Sequence, residues 1–219
     1  MKLNHLRRTA GIGATVLALS MTLAACGDGD DSSSNDDNGG SAGDETTAVA
    51  AESQTFGDGC AEVPTDGAGS FDGMVQDPVA TAASNNPLLT TLVAAVGAVD
   101  GLGDTLNDAE ELTVFAPYNG AFEEIKPADL NALIEGGQTD GQDSTLYKIL
   151  AHHVVGASAD TEAVVGEHET LAMDTLTVEG DENGMTVSDG TVTANVLCGN
   201  IPTANATVYV IDKVLTGVQ

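Results

Sequence analysis

Apolar residues in the middle of the chain recur at helical spacing. In "QDPVATAASNNP", Asp77 is placed to cap a helix, Pro78 to occupy its first position and Pro87 to stop it. The following run, "LLTTLVAAVGAVDGL", sets Leu88, Leu92, Ala95, Val96 and Val99 on one helical face, which predicts a buried stripe. "ELTVFAP" is short, apolar and uninterrupted, as a buried strand is, and Asn119 behind it is placed to cap a helix carrying Ala121 and Phe122. "KPADLNALIEGG" has proline near its start and glycines at its end, which predicts another helix.

Toward the C-terminus the period changes to two. Leu176 and Val178, then Val192, Ala194 and Val196, alternate with polar residues, and the turn formers "DENG" and "DG" separate them. "TVYVIDKVL" closes the pattern with Val208, Val210, Ile211, Val214 and Leu215. Helices followed by antiparallel hairpins predict an α+β fold rather than a doubly wound sheet. No internal repeat is visible, so one module is expected. Between the two regimes lies "ILAHHVVG", residues 149–156, in which His152 and His153 sit in an apolar run that reads as strand.

Composition narrows what such a module can be. With 219 residues, 42% of them hydrophobic, the chain can bury one sizeable core. Its net charge is -28, and three of its six basic residues, Lys2, Arg7 and Arg8, stand at the N-terminus. From Cys26 onward 34 acids face only Lys126, Lys148 and Lys213. Such a surface repels phosphate backbones, so nucleic acid and anionic headgroups are excluded as partners.

The basic start belongs to a leader. "MKLNHLRRTAGIGATVLALSMTLAAC" runs from positive residues through an apolar stretch to small residues, as a secretory signal does. It ends in "LAAC", like a bacterial lipoprotein box: residues 1–25 are then removed and Cys26 is lipidated, holding the protein at the outer face of the cytoplasmic membrane. Residues 26–59 are almost devoid of large apolar side chains and rich in aspartate, which predicts an extended, disordered tether. With Cys26 acylated, Cys60 and Cys198 remain, either bridged or as two buried thiols; an exported chain favours the bridge. A bridge would place the start of the folded domain at residue 60.

Three stretches resemble the fasciclin domain of cell-surface adhesion proteins. They are "TVFAPYNGAF" at 113–122, "ILAHHVVG", and "NATVYVIDKVL" at 205–215, in the family's order. The match spans a core of 77–215 within a domain of 60–219. The chain as a whole is similar to mycobacterial immunodominant surface lipoprotein antigens, which implies an actinobacterial relative. This resemblance implies a wedge of two β-sheets with a packed helical group. It also implies adhesion or recognition of a cell-surface, matrix or host protein, by a monomer without cofactor or catalysis. The candidate interaction residues it points to are Tyr118, Asn119, His152, His153, Val154 and Asp212. His153 matches the family histidine; His152 stands where a tyrosine is usual, and Tyr118 where a threonine is usual. On this reading His153 makes a buried hydrogen bond, His152 is partly exposed, and Asp212 has a hydrogen-bonded structural role.

Other chemistry finds little support in the residues. Neighbours on a strand point to opposite faces, so His152 and His153 cannot easily hold one metal ion, and His168 is the only other histidine after the leader. There is neither an HExxH spacing nor a GxSxG elbow. The acidic residues leave an envelope polysaccharide-binding or carbohydrate-active module as the alternative function.

Overall fold

A computed structural model of the chain describes residues 51–218. The leader at 1–25, the lipidation site Cys26 and most of the expected tether lie outside the described residues. Helices lead: α1 (Phe71–Gln76), α2 (Val79–Asn85), α3 (Thr90–Gly97) and α4 (Leu102–Asp108) precede strand β1 (Leu112–Pro117). Then come α5 (Asn119–Glu123), α6 (Pro127–Asp140) and α7 (Thr145–His152). The remaining strands are β2 (Val154–Val155), β3 (Gly166–Glu169), β4 (Thr175–Glu179), β5 (Thr186–Ser188), β6 (Thr193–Pro202) and β7 (Ala206–Ile211).

The stripe expected across residues 88–102 is buried but broken. Gly101 adopts φ 74°, a left-handed turn that costs glycine little, so α3 ends at Gly97 and α4 begins at Leu102. Helix α6 runs past the expected glycine stop to Asp140. Gly137 there serves packing instead of termination: a Cβ on it would stand 2.7 Å from Leu146 Cδ2.

The strands follow the order β2-β1-β7-β6-β5-β4-β3, mixed because β1 and β7 run parallel. Two sheets share β6, whose residues 193–195 pair with β5 while 196–202 pair with β7 across two irregularities in register. An isolated bridge between Val155 and Thr170 draws the two ends of the ladder together, nearly closing a barrel. Strand β1 is buried on both faces because it divides two cores. Val114 and Ala116 face the helices with Val208 and Val210; Phe115 faces the barrel interior with Tyr209, Leu176 and Val187. This accounts for the unbroken apolar run of "LTVFAP", where an alternating pattern would mark a one-sided strand.

Cys60 and Cys198 form a disulfide that ties the first turn of the domain to β6. Residues before the expected boundary at 60 also pack on the domain. Ala51 is buried, Phe56 exchanges backbone hydrogen bonds with Gly199, and its ring packs 6.3 Å from that of Tyr209. One aromatic residue in the polar segment supplies enough apolar area to dock it. Ala42–Gln219 is one compact unit with its cores inside it. Among the described residues no single helix is long and apolar enough to cross a membrane.

Candidate functional site

The histidine pair lies at a helix end, not in a strand. Ser144 caps α7 by accepting from the Tyr147 N–H at 3.1 Å, and Leu146, Ile149 and Leu150 anchor its apolar face. The helix runs to His152, and His153 turns the chain into β2. The apolar run suggested a strand because its helical stripe and the two valines of β2 are contiguous, so the period is obscured.

His153 is 3% exposed and joins two segments. Its Nδ1 lies 2.7 Å from the Ile149 carbonyl, and its Nε2 accepts from the Leu215 N–H at 3.0 Å. An acceptor at Nε2 puts the ring proton on Nδ1, where Ile149 receives it. Burial lowers the pKa to about 4, so the ring is neutral at pH 7 and both nitrogens are used inside the fold.

His152 contradicts the expectation of partial exposure: it is 1% exposed. Its Nδ1 stands 2.6 Å from Asp174 Oδ1 and its Nε2 3.5 Å from Asp189 Oδ2. Neither contact has hydrogen-bond alignment, so both ring nitrogens are buried without a hydrogen-bond partner. The Thr170 hydroxyl donates to Asp174. Asp189 accepts from the N–H groups of Thr191, Val192 and Gly217 at 2.6 to 2.7 Å. Burial opposes its charge, but those donors and His152 outweigh it and hold the pKa below the usual carboxylate value. A polar pocket of about 330 Å³ opens over His152, Asp174 and Asp189. Among the described residues no group of three or more His, Cys, Asp or Glu is placed to hold a metal ion.

The other candidates are also used internally. Val154 is buried. Asn119 does not cap α5; it accepts from the Thr91 N–H at 2.9 Å at the start of α3 and donates to the Pro87 carbonyl at 2.8 Å. Tyr118 packs half-buried on the helical core. Asp212 binds the backbone and side-chain amides of Asn195 at 2.7 and 2.6 Å, a clamp between β6 and β7. The six residues thus form no shared open face.

The residues that the pattern missed are asparagines. Asp77 does not cap α2; the first N–H of that helix, at Val79, donates to Asn205 Oδ1, and those of Ala80 and Thr81 donate to Asn107 Oδ1. The Asn205 amide nitrogen also donates to the carbonyls of Leu106 and Ala109 at 2.9 Å. Nothing local in the sequence reveals a cap supplied from 126 residues away.

A mixed, nearly closed sheet packed on helices, with His153 joining the last helix to the segment after β7, is the architecture that the comparisons have to match. The chain belongs to the fasciclin domain family, whose model matches residues 87–217. It is 44% identical over 180 residues to "Cell surface glycolipoprotein MPB83" of Mycobacterium bovis, covering 78% of this chain and 76% of that protein. It is 45% identical over 174 residues to "Immunogenic protein MPB70" of the same species, covering 76% and 84%. A shorter match, 30% identical over 127 residues, is to "Transforming growth factor-beta-induced protein ig-h3" of Sus scrofa, covering 57% of this chain and 17% of that protein. Membership of this family and likeness to cell-surface antigens support an exported, cell-surface adhesion or recognition role and not an enzymatic one.

Proposed function

We propose that the protein is lipid-anchored through Cys26 and presents its domain outside the membrane to a protein or matrix partner, as a monomer and without catalysis. The observation that carries this reading is the 44% identity to a protein named a cell surface glycolipoprotein, in a chain whose own leader ends in "LAAC". The acidic segment after Cys26 acts as a spacer, because carboxylates repel one another and too few apolar residues are present to collapse it.

The test is Cys26→Ser in intact cells, read by detergent phase partitioning and by partner capture with a surface crosslinker. The expected result is a variant in the medium or retained as uncleaved precursor, with the crosslinked partner lost from the membrane fraction. A variant that stays in the detergent phase at its mature mass would refute the anchor. Wild-type cells that yield no crosslinked protein or matrix component would refute the recognition role.

A further inference from the structure

The helices α2, α3, α4 and α7 enclose a small apolar cavity of about 90 Å³ against β1. Val96, Leu106, Val114 and Leu150 form much of its wall; half-buried Ala83 and Leu171, 46% exposed, line it toward solvent. Of its few polar neighbours, His153 already uses both ring nitrogens elsewhere. Little inside binds water, and an apolar cavity of this kind stays dry and accepts apolar groups. Its volume is about three fifths of the roughly 150 Å³ that admits a benzene ring, which suits one leucine or isoleucine side chain better than a long acyl chain.

Thr105, Leu106 and Leu171 also border a second, open trough that carries Asp108, Glu110 and Glu111. Lys126, Lys148 and Lys213, the lysines among the described residues, line neither space. The lip between the two is fixed, because the Leu171 N–H donates to the Val154 carbonyl at 2.8 Å. An apolar hole therefore opens beside an unneutralised acidic wall. A ligand that matches both has an aliphatic group next to a cation, and charge complementarity of this kind sets specificity and speeds encounter.

We propose that the cavity and trough together dock a segment of the partner protein in which an aliphatic side chain adjoins lysine or arginine. The aliphatic group fills the cavity, and the basic group lies over Asp108, Glu110 and Glu111. The assignment rests on the reading of this domain as a protein-recognition module and names the chemistry that it recognises.

The test uses Ala42–Gln219 labelled with 15N and three capped peptides, KKLLKK, EELLEE and KKSSKK, titrated at physiological salt. KKLLKK is expected to shift amides of residues 79–96 and 105–111 saturably, with the other two peptides at least tenfold weaker. Ala83→Leu, which fills the opening, is expected to weaken KKLLKK tenfold or more. Leu171→Glu gives the same reading at an exposed position outside the buried core. Glu110→Gln with Glu111→Gln is expected to weaken it several-fold. Equal binding of KKSSKK, shifts confined to another face, or undiminished binding to Leu171→Glu would overturn the site. If no peptide binds while cells still crosslink a partner, only this assignment fails; if KKLLKK binds but cells crosslink nothing, the functional reading fails instead.

Discussion

His153 is held by geometry that also makes it a proton-linked element of stability. The unfolded chain titrates near 6.5 and the native ring near 4, so between those values the unfolded state binds the proton and the native state does not. Stability must therefore fall as pH is lowered through that window and level off below it, by on the order of 3 kcal/mol in total. His153→Ala should remove this slope and cost about 2 to 4 kcal/mol at pH 7, since the Leu215 N–H and the Ile149 carbonyl lose their partner in a buried place. Urea melts of both proteins between pH 4 and 7.5 would show it; parallel slopes would refute it. His152→Ala should also destabilise, by about 2 to 4 kcal/mol, because it empties a buried volume between two carboxylates. A variant melting within a degree or two of wild type would show His152 to be a surface residue in practice. The importance of His153 was legible in the sequence through its motif. The burial of His152 was not, because Asp189 read only as part of a turn between strands and nothing local marked Asp174.

At the scale of elements, the order of helices and hairpins was legible and their fastenings were not. Period-two alternation correctly located β4, β6 and β7, and the apolar stripe located α3 but not α4, which begins where the stripe ends. Local capping signals misled at Asp77, whose carboxylate accepts from the Asn85 side chain, and at Asn119, which is recruited by α3. Asn205 illustrates the consequence: one amide closes the start of α2 and the end of α4, and joins both to the strand pair β6 and β7. Four hydrogen bonds converge on it, so Asn205→Ala should cost more than the roughly 1 kcal/mol of an ordinary cap, about 3 kcal/mol. Asn119→Ala, which releases α3 alone, should cost about 1 to 2 kcal/mol. Chemical denaturation of the two variants side by side would test the ranking, and equal losses would argue against a hub at Asn205. The same engagement makes the sequon "NAT" at 205 a poor glycan acceptor, since its amide nitrogen is committed inside the fold.

For the whole molecule, two opposing features set stability. The disulfide closes a loop of 138 residues, for which chain entropy gives about 4 to 5 kcal/mol, so the Cys60→Ser, Cys198→Ser double variant should melt well below wild type. Against it works charge: 27 of the chain's 34 acidic residues follow residue 50, where only three lysines face them. Only two contacts of ion-pair range occur among the described residues, both at His152, so the carboxylates of the surface repel with little local compensation. Repulsion among exposed charges is screened over about 10 Å at 0.1 M salt and over about 3 Å at 1 M. The melting temperature should therefore rise between 10 mM and 1 M sodium chloride, most steeply below 0.2 M where the screening length changes fastest. Truncation to Ala42–Gln219 removes five aspartates and should shift the curve without abolishing its slope. If the rise came from salting-out of apolar surface, it would instead grow at the molar end and be stronger in sulfate than in chloride at matched ionic strength. A flat curve below 0.2 M would mean that the acidic surface is already neutralised by bound counterions, and self-repulsion would lose its place in the energetics of this fold.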